Sequence, residues 1–183
     1  MTLTSQAAAA SLAEIARTER RLRQAIVYGR ASDFLLLWGG LVAAANLITQ
    51  FAPAWAGAAW LGTEFAGALG SVAIGLRLRG AGRDLRALWF GLVFLGYAGA
   101  WSWLFADVPV RALATFWATL PMFGYALVGL FAGRIFTLCG LLVTALAFAG
   151  YLWAGPWFPL WMAAAQGGGL IAGGILLRRV GLR

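Results

Sequence analysis

Six apolar runs of roughly 20 residues dominate the chain, and they limit its possible folds more than any other feature. A helix rises 1.5 Å per residue, so about 20 apolar residues cross a hydrocarbon layer about 30 Å thick. In lipid each backbone N–H and C=O needs an internal partner, which favours helices for runs of this length. The sequence therefore predicts an all-α polytopic membrane bundle with six transmembrane helices. The predicted spans are about 34–51, 55–76, 87–106, 112–132, 135–153 and 157–177.

Residues 1–32 precede this six-span domain, which occupies residues 33–183. Ser11 and Glu14 have the spacing of a capping box, and Gly29 is a plausible C-cap, so a short basic amphipathic helix is predicted between them. Two interpretations are open for this helix. It either rests on anionic lipid headgroups at the cytoplasmic surface or provides a docking surface for a cytosolic protein.

The positions of the arginines predict the orientation of the bundle. The chain has 14 basic residues, all arginine, against six acidic ones. In a six-span topology every arginine except Arg111 falls on one side, which the positive-inside rule assigns to the cytoplasm together with both termini. Most tryptophans fall near the opposite ends of the spans, as an aromatic belt does. Arginines expected to contact headgroups or a partner are Arg17, Arg20, Arg21, Arg23, Arg77, Arg79, Arg83 and Arg86.

This distribution argues against a nucleic-acid partner, despite the net charge of +8, because the arginines flank apolar runs. The preference for arginine over lysine, with abundant alanine and glycine, favours a bacterial origin and hence the inner membrane. The chain has no histidine and one cysteine, Cys139, inside an apolar run. We therefore expect no disulfide, no metal and no cofactor. We also expect that the protein is not an enzyme, since it has no histidine base, one cysteine and no catalytic motif.

A weak internal repeat relates three helical hairpins. Each hairpin carries a glycine in its first helix, then a tryptophan, a second glycine and a terminal arginine at matching spacings in its second helix. Glycine is frequent in this chain and a terminal arginine is expected from topology, so coincidence is the alternative explanation. The matching residues are Gly39, Gly96, Gly140; Trp60, Trp117, Trp161; Gly67, Gly124, Gly168; and Arg77, Arg134, Arg178.

Close helix contacts are indicated by pairs of small residues four positions apart, such as Gly129 with Gly133 and Gly169 with Gly173. The run from Gly167 to Gly169 has two interpretations, a packing surface or a broken helix. Packing is favoured because the following residues continue in a helical pattern.

Glu64 is the one carboxylate deep inside a predicted span, roughly 13 Å below the outer surface. An ionised side chain at that depth is costly and is usually functional. Polar residues and one proline of the other five spans come to a similar depth. These candidates are Asn46, Tyr97, Thr119, Pro121, Thr144 and Gln166.

Two functions are compatible with this polar layer. In the first, a small transporter or channel uses Glu64 as a proton carrier, with the other residues lining the path. In the second, Glu64 forms a neutral interhelical hydrogen bond with Asn46 or Gln166, and the protein is a membrane scaffold or sensor that binds a cytosolic partner. A homo-oligomer is expected in either case, because a chain of 183 residues encloses little interior.

Overall fold

The computed structural model describes residues 5–77, 86–105 and 107–181. The prediction of an all-helical fold is confirmed, since the described part of the chain contains helices, short turns and no strand. The long helices are α1 (Ser5–Phe51), α2 (Ala56–Arg77), α3 (Arg86–Leu104), α4 (Val110–Ala132) and α5 (Arg134–Trp153). The last span consists of α6 (Phe158–Met162), a π-helical segment (Ala163–Gly168) and α7 (Gly169–Gly181).

Five of these helical stretches are long and apolar enough to cross a membrane. They are Ala31–Phe51, Pro53–Leu76, Val110–Phe131, Arg134–Trp153 and Gly155–Val180. The 19-residue α3 has an equally apolar sequence and is the sixth candidate. The protein is therefore a helical bundle of membrane type.

The N-terminal helix differs from the sequence prediction. The predicted short helix from Ser11 to Gly29 and the first span are one continuous helix of 47 residues. Gly29 lies inside it and does not end it. A single glycine costs a helix interior only about 1 kcal/mol, and α1 contains no proline to interrupt its hydrogen bonds. From Tyr28 onward α1 enters the bundle, because the Tyr28 side chain is buried against Phe136 of α5.

A close helix contact joins α1 to the last span. A Cβ atom added at Gly39 would lie 2.9 Å from the backbone nitrogen of Ile171, and one added at Gly167 would lie 2.6 Å from the Cβ of Ala43. Glycine therefore permits the two backbones to approach, as small residues do in membrane bundles. The fully buried Ser32 adds a hydrogen bond from its hydroxyl to the carbonyl of Gly174 at 2.8 Å.

Helices α4 and α5 form a tight hairpin around Gly133. This residue has φ of 137°, a conformation that other residues rarely adopt, so α5 begins directly after α4 ends. The small residue Gly129 lets Thr137 approach α4, and the Thr137 hydroxyl donates to the carbonyl of Ala126 at 3.3 Å. Buried side chains of α1, α4, α5 and α7 share one apolar core, which includes Leu35, Met122, Val143 and Leu177.

The second helix packs on α1 along one side only. Trp38 of α1 lies against Gly67 and donates from its indole nitrogen to the Ser71 hydroxyl at 3.1 Å. Nearer the turn that joins α1 to α2, the Trp60 indole donates to the Thr49 hydroxyl at 3.2 Å. Most of the remaining surface of α2 is exposed. The third helix adds an aromatic contact, since Trp101 and Phe105 lie beside Phe116 of α4.

The first two glycines of the run in the last span, Gly167 and Gly168, end a π-helical segment, Ala163–Gly168, and Gly169 begins α7. Both interpretations of this run have a counterpart in the structure, because Gly167 packs against α1 while the helix locally leaves its regular geometry. Such wide turns interrupt the normal hydrogen-bond ladder and frequently mark functional sites.

The residues of the proposed repeat lie in unlike surroundings. Gly67 contacts Trp38, whereas a side chain at Gly124 would meet nothing within 4 Å. Gly39 is closely packed, but Gly96 faces open space. The threefold relation stays a prediction from sequence.

Candidate functional site

Glu64 lies in the middle of α2, and its side chain is exposed on the outer surface of the bundle. Its predicted interhelical partners, Asn46 and Gln166, do not bind it. Among the described residues, Glu64 has neither a hydrogen-bond partner nor an ion-pair partner. Its carboxyl group therefore faces whatever surrounds the bundle at that depth: lipid, water or another chain.

Asn46 and Gln166 lie on two helices that pack together. Asn46 is 5% exposed, and its amide nitrogen donates to the carbonyl of Val42, one turn earlier in α1, at 2.9 Å. Gln166 is 9% exposed and belongs to the π-helical segment. It precedes Gly167, which packs against Ala43, and Ala43 is less than one turn from Asn46. α1 and the π-helical segment therefore pack together near both residues.

Gln50, near the end of α1, is a further polar residue, and the sequence prediction does not include it. Its side-chain oxygen Oε1 is shielded from solvent and has no hydrogen-bond partner within the described part of the chain. The available signal was its spacing of four residues from Asn46, which places both on one face of α1. Gln50 was overlooked because it lies next to the end of the span, where polar residues are ordinary.

Thr119 and Thr144 approach each other across the α4–α5 hairpin. Both line a groove of about 290 Å³ whose other walls are apolar. The Thr119 hydroxyl donates to backbone carbonyls of its own helix, Thr115 at 2.9 Å and Phe116 at 3.2 Å. Phe123, Leu141 and Phe148 in the groove wall are exposed, so the groove opens at the surface.

The remaining two residues of the predicted polar layer lie on outward surfaces. Pro121 is inside α4, which continues as a helix on either side of it, and its ring is exposed. Tyr97 of α3 is 51% exposed and stacks at an angle on Trp101, with ring centres 5.8 Å apart. The polar layer is therefore divided among Glu64 on α2, the α1–π-helix interface, and the α3–α4–α5 side.

Arg111, the one arginine predicted on the outer side, binds the end of a helix. Its guanidinium donates to the backbone carbonyls of Tyr151, at 3.2 Å, and Gly155. It also lies 5.5 Å from the centre of the Phe158 ring, in a cation–π arrangement. These contacts join the start of α4 to the turn after α5. They give Arg111 a structural role that charge counting alone does not indicate.

The other arginines give less information. Arg79 and Arg83 lie outside the described residues. Arg77 ends α2 and Arg86 begins α3, so both flank that connection. Arg17, Arg20, Arg21 and Arg23 all lie on the N-terminal part of α1. Within the described chain, no group of three or more His, Cys, Asp or Glu side chains is close enough to hold a metal ion.

Comparisons with protein-family models, with curated proteins and with solved structures find no match to this chain. A fold of this kind hosts many activities, so function follows only from the chemistry of the sites described above.

Proposed function

We propose that the protein is a small transporter or channel of the bacterial inner membrane, with both termini in the cytoplasm, and that Glu64 carries the proton that drives or accompanies transport. A carboxyl group is the one type of side chain in these spans that can exchange a proton in this way, since the chain has no histidine or lysine.

The observation that carries this proposal is the free, exposed carboxyl group of Glu64. An interhelical hydrogen bond would require a partner, and Asn46 directs its amide nitrogen to the carbonyl of Val42 instead. A carboxyl group without a partner in an otherwise apolar helix is destabilising unless it meets water or another polar group. Retaining it at that cost supports a functional role.

The proton role is tested by flux into liposomes that contain the purified protein and an internal pH-sensitive dye. We expect Glu64→Gln to reduce proton flux at least tenfold, because the amide keeps the shape but cannot release a proton. Glu14→Gln is the matched control, since Glu14 is exposed on α1 before the first span, and it should keep full flux. The variant must elute from a size-exclusion column like the wild type and must have the same helical content. Full proton flux in such Glu64→Gln protein would exclude the proton role.

A second function is favoured by a different observation at the N-terminus. Leu12 and Ile15 are 67% and 63% exposed, one turn apart on α1. Because α1 continues as one helix into the first span, it extends from the membrane as a rigid arm roughly 35 Å beyond Tyr28. This arrangement favours a scaffold or sensor that presents an apolar patch to a cytosolic protein, over a helix lying flat on headgroups.

Crosslinking in intact cells, followed by purification, tests the scaffold function. Replacing Leu12 and Ile15 together by glutamate should abolish recovery of a cytosolic partner while the protein still inserts into the membrane. The control is Glu14→Ala, which alters the same helix but leaves the apolar patch. Equal recovery from all three proteins would rule out a partner bound at this patch.

A further inference from the structure

One side of the first span is left uncovered by the other described helices. The buried residues of this span, such as Leu35, Val42 and Ala45, face the rest of the bundle. Five exposed residues lie on the opposite side of α1, because their spacing at 3.6 residues per turn places them on one face. This free face consists of Gly40, Ala44, Leu47, Ile48 and Phe51.

The N-terminal arm, the part of α1 before Tyr28, carries apolar residues in line with the free face. At 3.6 residues per turn, four of them fall with the free face inside one sector of about 100°. Because α1 is one continuous helix, the arm and the span present a single apolar surface, called here the α1 stripe. The residues contributed by the arm are Leu12, Ile15, Leu22 and Ile26, of which the first two are exposed.

Small residues in the middle of the α1 stripe allow another backbone to approach. On the packed side of α1, Gly39 and Ala43 make the close contact with the last span. Gly40 and Ala44 repeat the same spacing on the free face, and a Cβ added at Gly40 would meet nothing within 4 Å. Two small residues four positions apart are the feature through which membrane helices pair closely. One such pair of α1 is therefore used inside the chain, and the other is open.

The length of the α1 stripe indicates what covers it. Lipid covers only the part within the bilayer, and a cytosolic protein reaches only the arm. The α1 of a second copy enters the membrane in the same orientation and matches the stripe over its whole length. We propose that α1 pairs in parallel with α1 of a second copy along this stripe, from Leu12 to Phe51. The spacing of the arm's four apolar residues is that of positions a and d in a heptad, at which parallel helices pair.

Two carboxylates lie on the α1 stripe, and the sequence supplies each with a neighbouring basic position. Arg23 follows Glu19 by four residues, and Arg30 precedes Asp33 by three. In two parallel copies of α1 at the same height, each acidic position is thus within about one turn of a basic position on either chain. Lipid tails offer no such partner, so this charge pattern favours a second copy as the occupant.

The pairing is independent of proton transport by Glu64. Helix α2 packs on a different side of α1, where Trp38 and Thr49 form hydrogen bonds with it. A cytosolic protein bound at Leu12 and Ile15 is the competing occupant of the arm, and the mass of a crosslinked product distinguishes the two.

Disulfide crosslinking in isolated membranes tests the pairing, in a Cys139→Ala background with copper(II) phenanthroline as the oxidant. Leu12→Cys and Leu47→Cys lie toward the two ends of the stripe, and each should yield a product of twice the chain's mass. The controls are Glu14→Cys, exposed on the other side of the arm, and Phe148→Cys, exposed on α5. Both controls should stay monomeric.

A substitution in the span tests whether the arm and the membrane part form one interface. Gly40→Leu blocks close approach of a second helix, whereas within a single chain the position is open. We expect it to lower the dimer yield of Leu12→Cys, roughly 40 Å away, about tenfold. Gly62 on the free side of α2 is equally open, so Gly62→Leu is the matched control and should leave this yield unchanged.

Equal dimer yields from Leu12→Cys and Glu14→Cys would overturn the proposal, because they would reflect random collision of the arms. A product of another mass from Leu12→Cys would overturn it in favour of a different protein on the arm. The absence of dimers from Leu47→Cys, or equal effects of Gly40→Leu and Gly62→Leu, would overturn it as well. None of these results affects proton flux through Glu64, which the Glu64→Gln experiment measures separately.

Discussion

Single polar side chains join helices of this bundle by binding backbone carbonyls. The last carbonyls of a helix have no partner within it, and a cation is favourable there because it also meets the negative end of the helix dipole. Arg111 fills this role for Tyr151 and Gly155 after α5. Trp161 also joins two helices, donating from its indole nitrogen to the carbonyl of Leu146 in the interior of α5 at 2.8 Å.

We expect Arg111→Ala to lower the free energy of unfolding by about 1 kcal/mol, because it removes two hydrogen bonds at a partly exposed site. The expected fall in melting temperature is about 2–4 °C, measured by helical circular dichroism in detergent. Arg134→Ala removes an exposed arginine at the start of α5 and serves as the control. A larger effect at Arg134 than at Arg111 would contradict the proposed capping role.

Between elements, glycine decides which helices approach closely. At the contact of α1 with the last span, an added Cβ at Gly39 would meet backbone atoms of Ile171 and Gly167 at 2.9 and 3.0 Å. Backbone atoms cannot move aside as a flexible side chain can. On the free side of α2, by contrast, a Cβ at Gly62 would meet nothing within 4 Å.

We therefore expect opposite effects from the same substitution at two positions. Gly39→Ala should destabilise the bundle by about 1–3 kcal/mol through overpacking. Gly62→Ala should be neutral or stabilising by up to about 1 kcal/mol, because alanine is the better helix former. Thermal unfolding of both variants in one detergent compares them directly. Similar destabilisation of the two would mean that Gly62 is also covered, for example by another copy of the chain.

The exposed face of α2 is also where an oligomer is expected. Leu61 and Phe65 are exposed on either side of Glu64 along this helix, so a second copy that supplies a polar partner to Glu64 would approach them. In a Cys139→Ala background, we expect Phe65→Cys to form an oxidative dimer in membranes. Val128→Cys, exposed on α4, is the matched control and should stay monomeric. Dimers from both positions would indicate random collision in the membrane. The absence of dimers from Phe65→Cys would exclude this face of α2 as the oligomer interface.

For the whole molecule, the membrane topology is a prediction from the distribution of arginines and from the number of spans. Three helices, α1 to α3, separate Glu14 from Asp107, so the two residues lie on opposite sides if all three cross the bilayer. Both residues are exposed. Their accessibility therefore tests the cytoplasmic position of the N-terminus and the crossing of α3 together.

In the Cys139→Ala background, we expect a membrane-impermeant maleimide added to intact spheroplasts to label Asp107→Cys but not Glu14→Cys. Permeabilised cells should show equal labelling at both positions, which controls for intrinsic reactivity. Labelling of Glu14→Cys in intact spheroplasts would show that the N-terminus lies outside the cytoplasm, which is the opposite of the predicted topology. Protection of both positions would mean that α3 does not cross.

The sequence by itself determined the helical class, because each apolar run is long enough to span lipid and has no alternative way to satisfy its backbone. It also drew attention to Glu64, Asn46 and Gln166, whose polarity is unusual at their depth. It misplaced the end of the first helix, since the effect of Gly29 depends on its neighbours rather than on its identity. It also left Gln50 unnoticed, because a polar residue near a span end is ordinary.

The tertiary structure decided which of these polar residues are buried and which are exposed. Hydrophobic periodicity is weak in helices that are apolar all round, so the face that each presents to its neighbours cannot be read from the pattern alone. Close contact at Gly39 and Gly167 joins α1 to the last span, and Asn46 is buried in α1. Packing of α2 through Trp38 and Gly67, by contrast, leaves Glu64 exposed. The physical reason is that backbone contact in a membrane bundle depends on where small residues on two separate helices face each other.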